Sequence, residues 1–175
     1  TLVLAGPGSG KTRVLTYRIA YLIGVLNVPS YHILAVTFTN KAAREMRERV
    51  EKLIGTASQG IWLGTFHSVC GRILRREADL LPVDQNFVIF GDDDQHTLMK
   101  EIVRESGRDE KLFRPASLLD AISRAKNELI SPENYPIQNY RDEQVRQFYI
   151  RYQQMLVRNN AVDFDDMLVY TQQLF

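Results

Sequence analysis

Short apolar runs alternate with amphipathic helical patterns over the first half of the chain. The apolar runs have the length of buried strands and span residues 2–5, 33–36 and 61–63. Apolar side chains then recur every three or four residues, which predicts helices over residues 11–26, 40–54 and 66–81. Strand and helix thus alternate three times. This order predicts an α/β fold with a parallel sheet covered by helices.

The pattern changes after a fourth apolar run at residues 87–90. From there the periodicity is almost continuously helical, with predicted helices over residues 93–106, 116–129, 141–159 and 164–175. Gly107 ends the first of these helices and Pro115 stands at the start of the second. The second half is therefore either a helical insertion into the α/β fold or a separate helical domain.

Composition agrees with an ordinary globular protein, and charge adds an asymmetry. The 175 residues are 45% hydrophobic and 25% charged, with a net charge of +1. That near-neutral total hides a split, because residues 1–88 hold 11 Lys and Arg against 6 Asp and Glu, whereas residues 89–175 hold 11 against 15. The basic surplus of the first half favours an anionic partner there.

The single cysteine and the short apolar runs indicate a compartment. Cys70 cannot form an internal disulfide, and its place in a helical pattern predicts a small buried side chain. No apolar stretch reaches the length of a membrane span, so we expect no membrane partner. A cytoplasmic location is the expectation.

A phosphate-binding loop joins the first strand to the first helix. The segment Ala5-Gly6-Pro7-Gly8-Ser9-Gly10-Lys11-Thr12 has the Walker A pattern, with Ala5 where the strict pattern has Gly. Its glycines let backbone N–H groups approach phosphate oxygens, and the helix that follows directs its positive end at the same anion. Lys11 can hold the β- and γ-phosphates and the Thr12 hydroxyl can ligate Mg²⁺, so ATP and Mg²⁺ are the expected cofactors and these two residues the catalytic ones.

A run of carboxylates follows the fourth strand and allows two interpretations. Asp92, Asp93 and Asp94 come directly after Gly91, as an acidic Walker B segment would. The same carboxylates suit the first turn of the next helix, where negative charge is favourable. Local chemistry does not separate the two.

Three further segments carry a family resemblance. They are Val36-Thr37-Phe38-Thr39-Asn40-Lys41-Ala42-Ala43, Gly64-Thr65-Phe66-His67-Ser68 and Phe164-Asp165-Asp166. Together with the phosphate loop, and in this order, they resemble the UvrD/PcrA/Rep branch of superfamily 1 DNA helicases. The resemblance extends over essentially the whole chain.

The resemblance implies a fold, an activity and a division of the chain. It implies an ATP-dependent motor with two RecA-like domains that steps 3′ to 5′ on single-stranded DNA and unwinds duplex DNA in repair or replication. Residues 1–88 would be the N-terminal part of the first RecA-like domain. Residues 89–160 would be a helical insertion that meets duplex DNA, and residues 161–175 the return to the core. Single-stranded DNA and its junctions with duplex are the implied partners.

The resemblance also implies roles for individual residues. Phe38, Thr39 and Asn40 correspond to a single-strand contact segment, Phe66 and His67 to the equivalent turn after the third strand, and Phe164 to a base pocket. Arg13 corresponds to an arginine that lies against the adenine. Some of these residues have a plainer alternative. Phe38 and Phe66 could be core aromatics, and His67 could be a helix cap. Asp165 and Asp166 of the third segment could be first-turn helix carboxylates.

The resemblance places the family's Walker B segment several tens of residues after the segment Phe164-Asp165-Asp166. We therefore expect the chain to be a piece of the motor that binds ATP without significant turnover, and Asp92–Asp94 to lead into the insertion. Two alternatives are open: a helicase-nuclease subunit of the same superfamily, and an ATP-dependent DNA-binding module without motor activity.

Overall fold

The computed structural model describes Leu4, Gly6 and residues 10–175, which fold as two compact units. The first unit ends at Val69 and the second runs from Cys70 to Phe175. The strand predicted over residues 2–5 lies outside the described residues, apart from Leu4. Within the described part of the chain, no helix is long and apolar enough to cross a membrane.

The first unit contains a two-stranded parallel sheet and the helices that cover it. Its elements are α1 (Lys11–Gly24), β1 (Leu34–Thr37), α2 (Asn40–Ile54), β2 (Trp62–Thr65) and the start of α3 (Phe66–Arg76). The register of the two strands runs from Leu34 beside Trp62 to Thr37 beside Thr65. The predicted parallel pairing is therefore confirmed for these two strands.

The core of the first unit joins α1 and α2 to the sheet. Ile19 of α1 and Met46 and Val50 of α2 are buried together with Leu63 of β2. These are positions that the helical spacing predicts to face inward. A hydrogen bond also joins α2 to β2, because the Arg47 guanidinium donates to the Leu63 carbonyl.

The second unit is mainly helical, as the pattern predicts. Its helices after α3 are α4 (Asp92–Glu105), α5 (Pro115–Asn127), α6 (Tyr140–Arg158) and α7 (Phe164–Gln173). Among the residues of the α4, α5 and α6 cluster that are less than 2% exposed, the largest are Tyr152, Met99, Ile122 and Leu156. Cys70 is buried, as predicted.

The third helix is shorter than predicted. It ends at Arg76, and a 3₁₀ turn follows at Ala78–Leu80. Pro82 disfavours helical backbone at Leu81. The α-helix therefore ends before that residue and is followed by the tighter 3₁₀ turn.

The second unit also holds a strand that the sequence pattern does not predict. Residues Ala161–Asp163 form β4, which pairs in parallel with β3 (Val88–Phe90), so that Phe90 lies beside Asp163. Three residues are too few for a periodicity to show. The turn into this strand is made by Asn160, which has a φ of 47° and whose amide binds the Asp84 carboxylate at 2.7 Å.

Candidate functional site

Helix α1 begins directly after Gly10, the last glycine of the predicted phosphate-binding segment. Gly10 has a φ of 81°, a left-handed conformation that suits glycine, and α1 begins at the next residue, Lys11. The Lys11 Nζ donates a hydrogen bond to the Gly6 carbonyl at 3.0 Å. The first turn of α1 contains no acidic residue. Positive charge and a helix N-terminus thus meet at one place, which is suited to an anion.

The remaining predicted nucleotide ligands fall into two groups. Ala5, Pro7, Gly8 and Ser9 lie outside the described residues. Thr12 is partly buried in the first turn of α1, and its hydroxyl is a hard oxygen of the kind that Mg²⁺ prefers, so its position fits a metal brought by a nucleotide.

Arg13 is exposed and borders a basic cavity between α1 and α2. Its guanidinium lies 5.6 Å from the centre of the Tyr17 ring. The cavity has a volume of about 400 Å³, and Arg49 and Lys52 also line it. Both helices therefore contribute basic side chains to the lining of the cavity.

Two phenylalanines stand side by side where the parallel strands end. Because Thr37 is level with Thr65, the next residues of both strands, Phe38 and Phe66, leave the sheet together. Their ring centres are 5.6 Å apart, with an angle of 47° between the planes. The Phe38 side chain is 92% exposed and that of Phe66 43%. The alternative that these are core aromatics is wrong for both.

Both phenylalanines sit at helix starts that are capped by threonine. The Thr39 hydroxyl accepts a hydrogen bond from the Ala42 backbone N–H at 3.1 Å, and the Thr65 hydroxyl accepts one from Ser68 at 3.2 Å. Asn40 and His67 lie exposed in the first turns of α2 and α3. At the start of α3, Thr65 supplies a side-chain oxygen that accepts from a first-turn N–H, as an N-cap residue does.

A close contact at the second turn has no signal in the hydrophobic pattern. A Cβ added to Gly64 would overlap the Ser68 hydroxyl, which donates a hydrogen bond to the Thr65 carbonyl at 2.9 Å. Only glycine leaves room for that hydroxyl. Gly64 and Ser68 thereby shape the turn that presents Phe66 and His67.

Phe164 begins α7 in the second unit, directly after β4. Its side chain is 43% exposed and lines a cavity of about 400 Å³. The other side chains of that cavity are mostly acidic or polar and include Asp92, His96, Asp120, Ser123 and Asp165. Such a lining disfavours a phosphate and provides acceptors for N–H donors.

A buried ionic network holds the start of α7, and sequence reasoning missed it. The Lys126 ammonium lies 2.7 Å from an oxygen of Asp163 and 2.7 Å from an oxygen of Asp166, and all three side chains are at most 3% exposed. Burial raises the pKa of Asp166 to about 6, although Lys126 acts to lower it. A lysine in a helical pattern normally indicates an exposed face, so no sequence signal marks this one.

The first-turn interpretation of the acidic residues is confirmed in both helices. Asp165 and Asp166 lie in the first turn of α7, and Asp163 is its N-cap. Asp92, Asp93 and Asp94 lie in the first turn of α4, where Asp94 accepts a hydrogen bond from the Gly91 N–H at 3.0 Å.

The described residues thus define a mixed α/β protein with short parallel sheets and with exposed aromatics at the ends of two parallel strands. The chain belongs to the UvrD/REP helicase N-terminal domain family, whose sequence model matches residues 1–175. It is 48% identical to the protein named ATP-dependent DNA helicase PcrA of Staphylococcus aureus and 49% identical to that of Bacillus subtilis. Each match covers 99% of the chain and 24% of the relative, so the chain spans about a quarter of the length of these relatives.

Proposed function

We propose that the chain is the N-terminal, ATP-binding part of an ATP-dependent DNA helicase that steps 3′ to 5′ on single-stranded DNA and unwinds duplex in repair or replication. The observation that carries the proposal is the exposed pair Phe38 and Phe66, in the same unit as the phosphate loop. The relatives named above support the helicase activity.

Binding of ATP rests on the start of α1. Lys11 would exchange the Gly6 carbonyl for phosphate oxygens, since both are acceptors for the same ammonium. Thr12 would hold the Mg²⁺ that accompanies the nucleotide, and Arg13 would lie against the adenine. The metal would neutralise charge on the phosphates when bound.

Binding of single-stranded DNA rests on the two turns after β1 and β2. Phe38 and Phe66 offer aromatic faces on which bases can stack whatever their sequence. Thr39, Asn40 and His67 lie at helix N-termini, where backbone amides favour phosphates. The unit that carries them holds 8 Lys and Arg against 3 Asp and Glu, which attracts a polyanion.

Phe164 would complete the DNA contacts with a base rather than with backbone. The carboxylates around its cavity repel phosphate, whereas they accept hydrogen bonds from the amino groups of bases. We expect the aromatic ring to stack on the base while these acceptors meet its edge.

We also propose that the chain comprises part of a RecA-like domain (residues 1–88), a helical insertion (89–160) and the return to that domain (161–175). The pairing of β3 with β4 supports an insertion between these strands, because the helices that join them leave and rejoin the same small sheet. Junctions between single-stranded and duplex DNA are the partner that the insertion would meet.

Residues 1–175 by themselves are proposed to bind ATP without turning it over. A carboxylate at a strand end would have to orient the attacking water. Among the described strands, the carboxylates after β3 lie in the first turn of α4, and Asp163 at the end of β4 is buried against Lys126.

The decisive experiment measures DNA-stimulated ATP hydrolysis and strand unwinding by the full-length protein. Lys11→Ala should abolish both while leaving the circular dichroism spectrum unchanged. Lys100→Ala, which removes an exposed lysine of α4, is the matched control and should keep both activities. Full activity of the Lys11 variant would refute the proposed function.

A further inference from the structure

Three charged side chains are buried together at the start of α7, two negative and one positive. Lys126 of α5 contacts Asp163 and Asp166 at 2.7 Å each, and its own side chain is 1% exposed. Burial of an ammonium is unfavourable unless carboxylates hold it, so the lysine is fixed in place by this pair.

The two carboxylates are also the capping box of α7. The Asp166 N–H donates to the Asp163 carboxylate at 2.7 Å, and the Asp163 N–H donates to the Asp166 carboxylate at 3.4 Å. Phe164 lies between these residues, so the box sets its backbone direction. Whatever holds the two carboxylates therefore also holds Phe164.

Helix α6 holds the same carboxylates from another side with neutral donors. The Tyr152 hydroxyl donates to Asp163 at 3.1 Å, and the Gln153 amide donates to Asp166 at 3.0 Å. Each of these donors reaches one carboxylate, whereas the ammonium reaches both. Lys126 is the group that joins the two halves of the capping box through a charge.

The helix that carries Lys126 also forms part of the cavity at Phe164. Leu119, Asp120 and Ser123 of α5 line that cavity together with Phe164 and Asp165. A displacement of α5 would therefore move the cavity wall and the lysine that holds the phenylalanine at the same time.

We propose that Lys126 is a positioning residue that holds Phe164 in the orientation in which it stacks on a base. The inference rests on the proposed function, since the base contact of Phe164 belongs to that proposal. It assigns to a buried lysine of the helical region a part in DNA binding without any contact to DNA.

The first measurement concerns position alone and uses no DNA. The full-length protein is prepared with 4-fluorophenylalanine at position 164, and its ¹⁹F resonance is compared with and without Lys126→Met. We expect the resonance to shift and to broaden at least twofold. Arg124→Met, which removes an exposed cation from the same helix, should leave the resonance unchanged.

The second measurement is a double-mutant cycle in the affinity for oligo(dT). Lys126→Met should weaken binding roughly five- to tenfold, within the range that one stacked base contributes. In the Phe164→Ala background the same substitution should have no further effect, because the ring it positions is gone. A loss of structure unrelated to Phe164 would instead weaken binding equally in both backgrounds.

Uncompensated carboxylates can prevent Lys126→Met from folding, so a neutral variant is tested beside it. Lys126→Met with Asp163→Asn and Asp166→Asn removes all three charges and keeps residues that can cap a helix. Its ¹⁹F resonance should also shift and broaden, because α5 no longer contacts residues 163 and 166 through the Lys126 ammonium.

The outcomes separate this inference from the proposed function. A ¹⁹F resonance unchanged in a folded variant, or equal losses of affinity in both backgrounds, would overturn the positioning role. A shifted resonance with a Phe164→Ala variant that binds oligo(dT) normally would uphold the positioning of Phe164 and overturn its role in DNA binding.

Discussion

Phe38 and Phe66 lie with their ring centres 5.6 Å apart, although they follow different strands of the sheet. The parallel register, which places Thr37 level with Thr65, brings them together. Phe38 directly precedes Thr39, the N-cap of α2, and Phe66 is the first residue of α3, where the Thr65 hydroxyl accepts a hydrogen bond from the Ser68 N–H. The chain thereby presents two adjacent aromatic faces beside two helix N-termini, an arrangement that suits bases and phosphates at once.

Phe38→Ala should weaken the binding of oligo(dT) to the full-length protein by about 1–3 kcal/mol, the contribution of one stacked base. Phe66→Ala should have a smaller effect, because less of its ring is exposed. The double variant should lose less than the sum of the two, since the rings touch. Fluorescence anisotropy at several salt concentrations measures these affinities.

Tyr31→Ala is the control for the aromatic pair. Tyr31 is 66% exposed and precedes β1, whereas Phe38 follows it, so the substitution removes an exposed ring at the other end of the same strand. Its affinity for oligo(dT) should equal that of the wild type. A Phe38→Ala variant that binds as tightly as the Tyr31 control would exclude stacking.

Gly64→Ala should disturb the second turn through its overlap with the Ser68 hydroxyl. The hydroxyl must rotate away and lose its hydrogen bond to Thr65, which costs about 1 kcal/mol of the free energy of unfolding. Ser68→Ala in addition removes the overlap. Urea unfolding should therefore show a double variant no less stable than Ser68→Ala alone, and a further loss in the double variant would show that the overlap is not with that hydroxyl.

The raised pKa of Asp166 predicts a pH dependence of stability. Because the folded state raises this pKa from 3.8 to about 6, it binds the proton more tightly than the unfolded state does. Stability from this group is complete below about pH 4 and is lost as the pH rises through 6. Relative to Asp166→Asn, the wild type should lose stability across that interval, because ionisation of the buried carboxyl is unfavourable.

Urea unfolding at a series of pH values between 4 and 7 measures this difference. The groups that face Asp166 are Lys126, Asp163, Gln153 and Tyr170, and burial raises the pKa of the Tyr170 hydroxyl further above that interval. Asp165→Asn is the matched control, since it alters the neighbouring carboxylate outside the ion pairs with Lys126. An identical pH profile for wild type and Asp166→Asn would show that Asp166 is ionised throughout.

The 175-residue chain should bind a fluorescent ATP analogue with Mg²⁺ and hydrolyse ATP at no significant rate. Lys11→Ala should abolish the binding, since it removes the ammonium that we propose holds the phosphates. Titration by anisotropy and a phosphate-release assay check the two parts. Hydrolysis at the rate of the full-length protein would contradict the assignment of the strand-end carboxylates to helix starts and to the Lys126 pair.

The sequence by itself predicted the presence of the helices, a parallel sheet and the residues of both turns. Periodicity predicted α2 at its observed bounds, because its apolar positions recur at the helical spacing and Gly55 ends it. The motifs marked Phe38 and Phe66 as candidates, yet left their burial open, since an aromatic residue at a strand end can face either core or solvent.

Only the tertiary structure decided which of those side chains are exposed and which charges are buried. Strand β4 is three residues long, and its pairing with β3 depends on residues distant in the chain. In the sequence, Lys126 is indistinguishable from an exposed lysine of an amphipathic helix. In the folded protein it forms ion pairs with Asp163 and Asp166, which lie far from it in the chain. Local periodicity reports what a residue's own helix or strand favours, whereas a buried ion pair forms only when separate elements pack together.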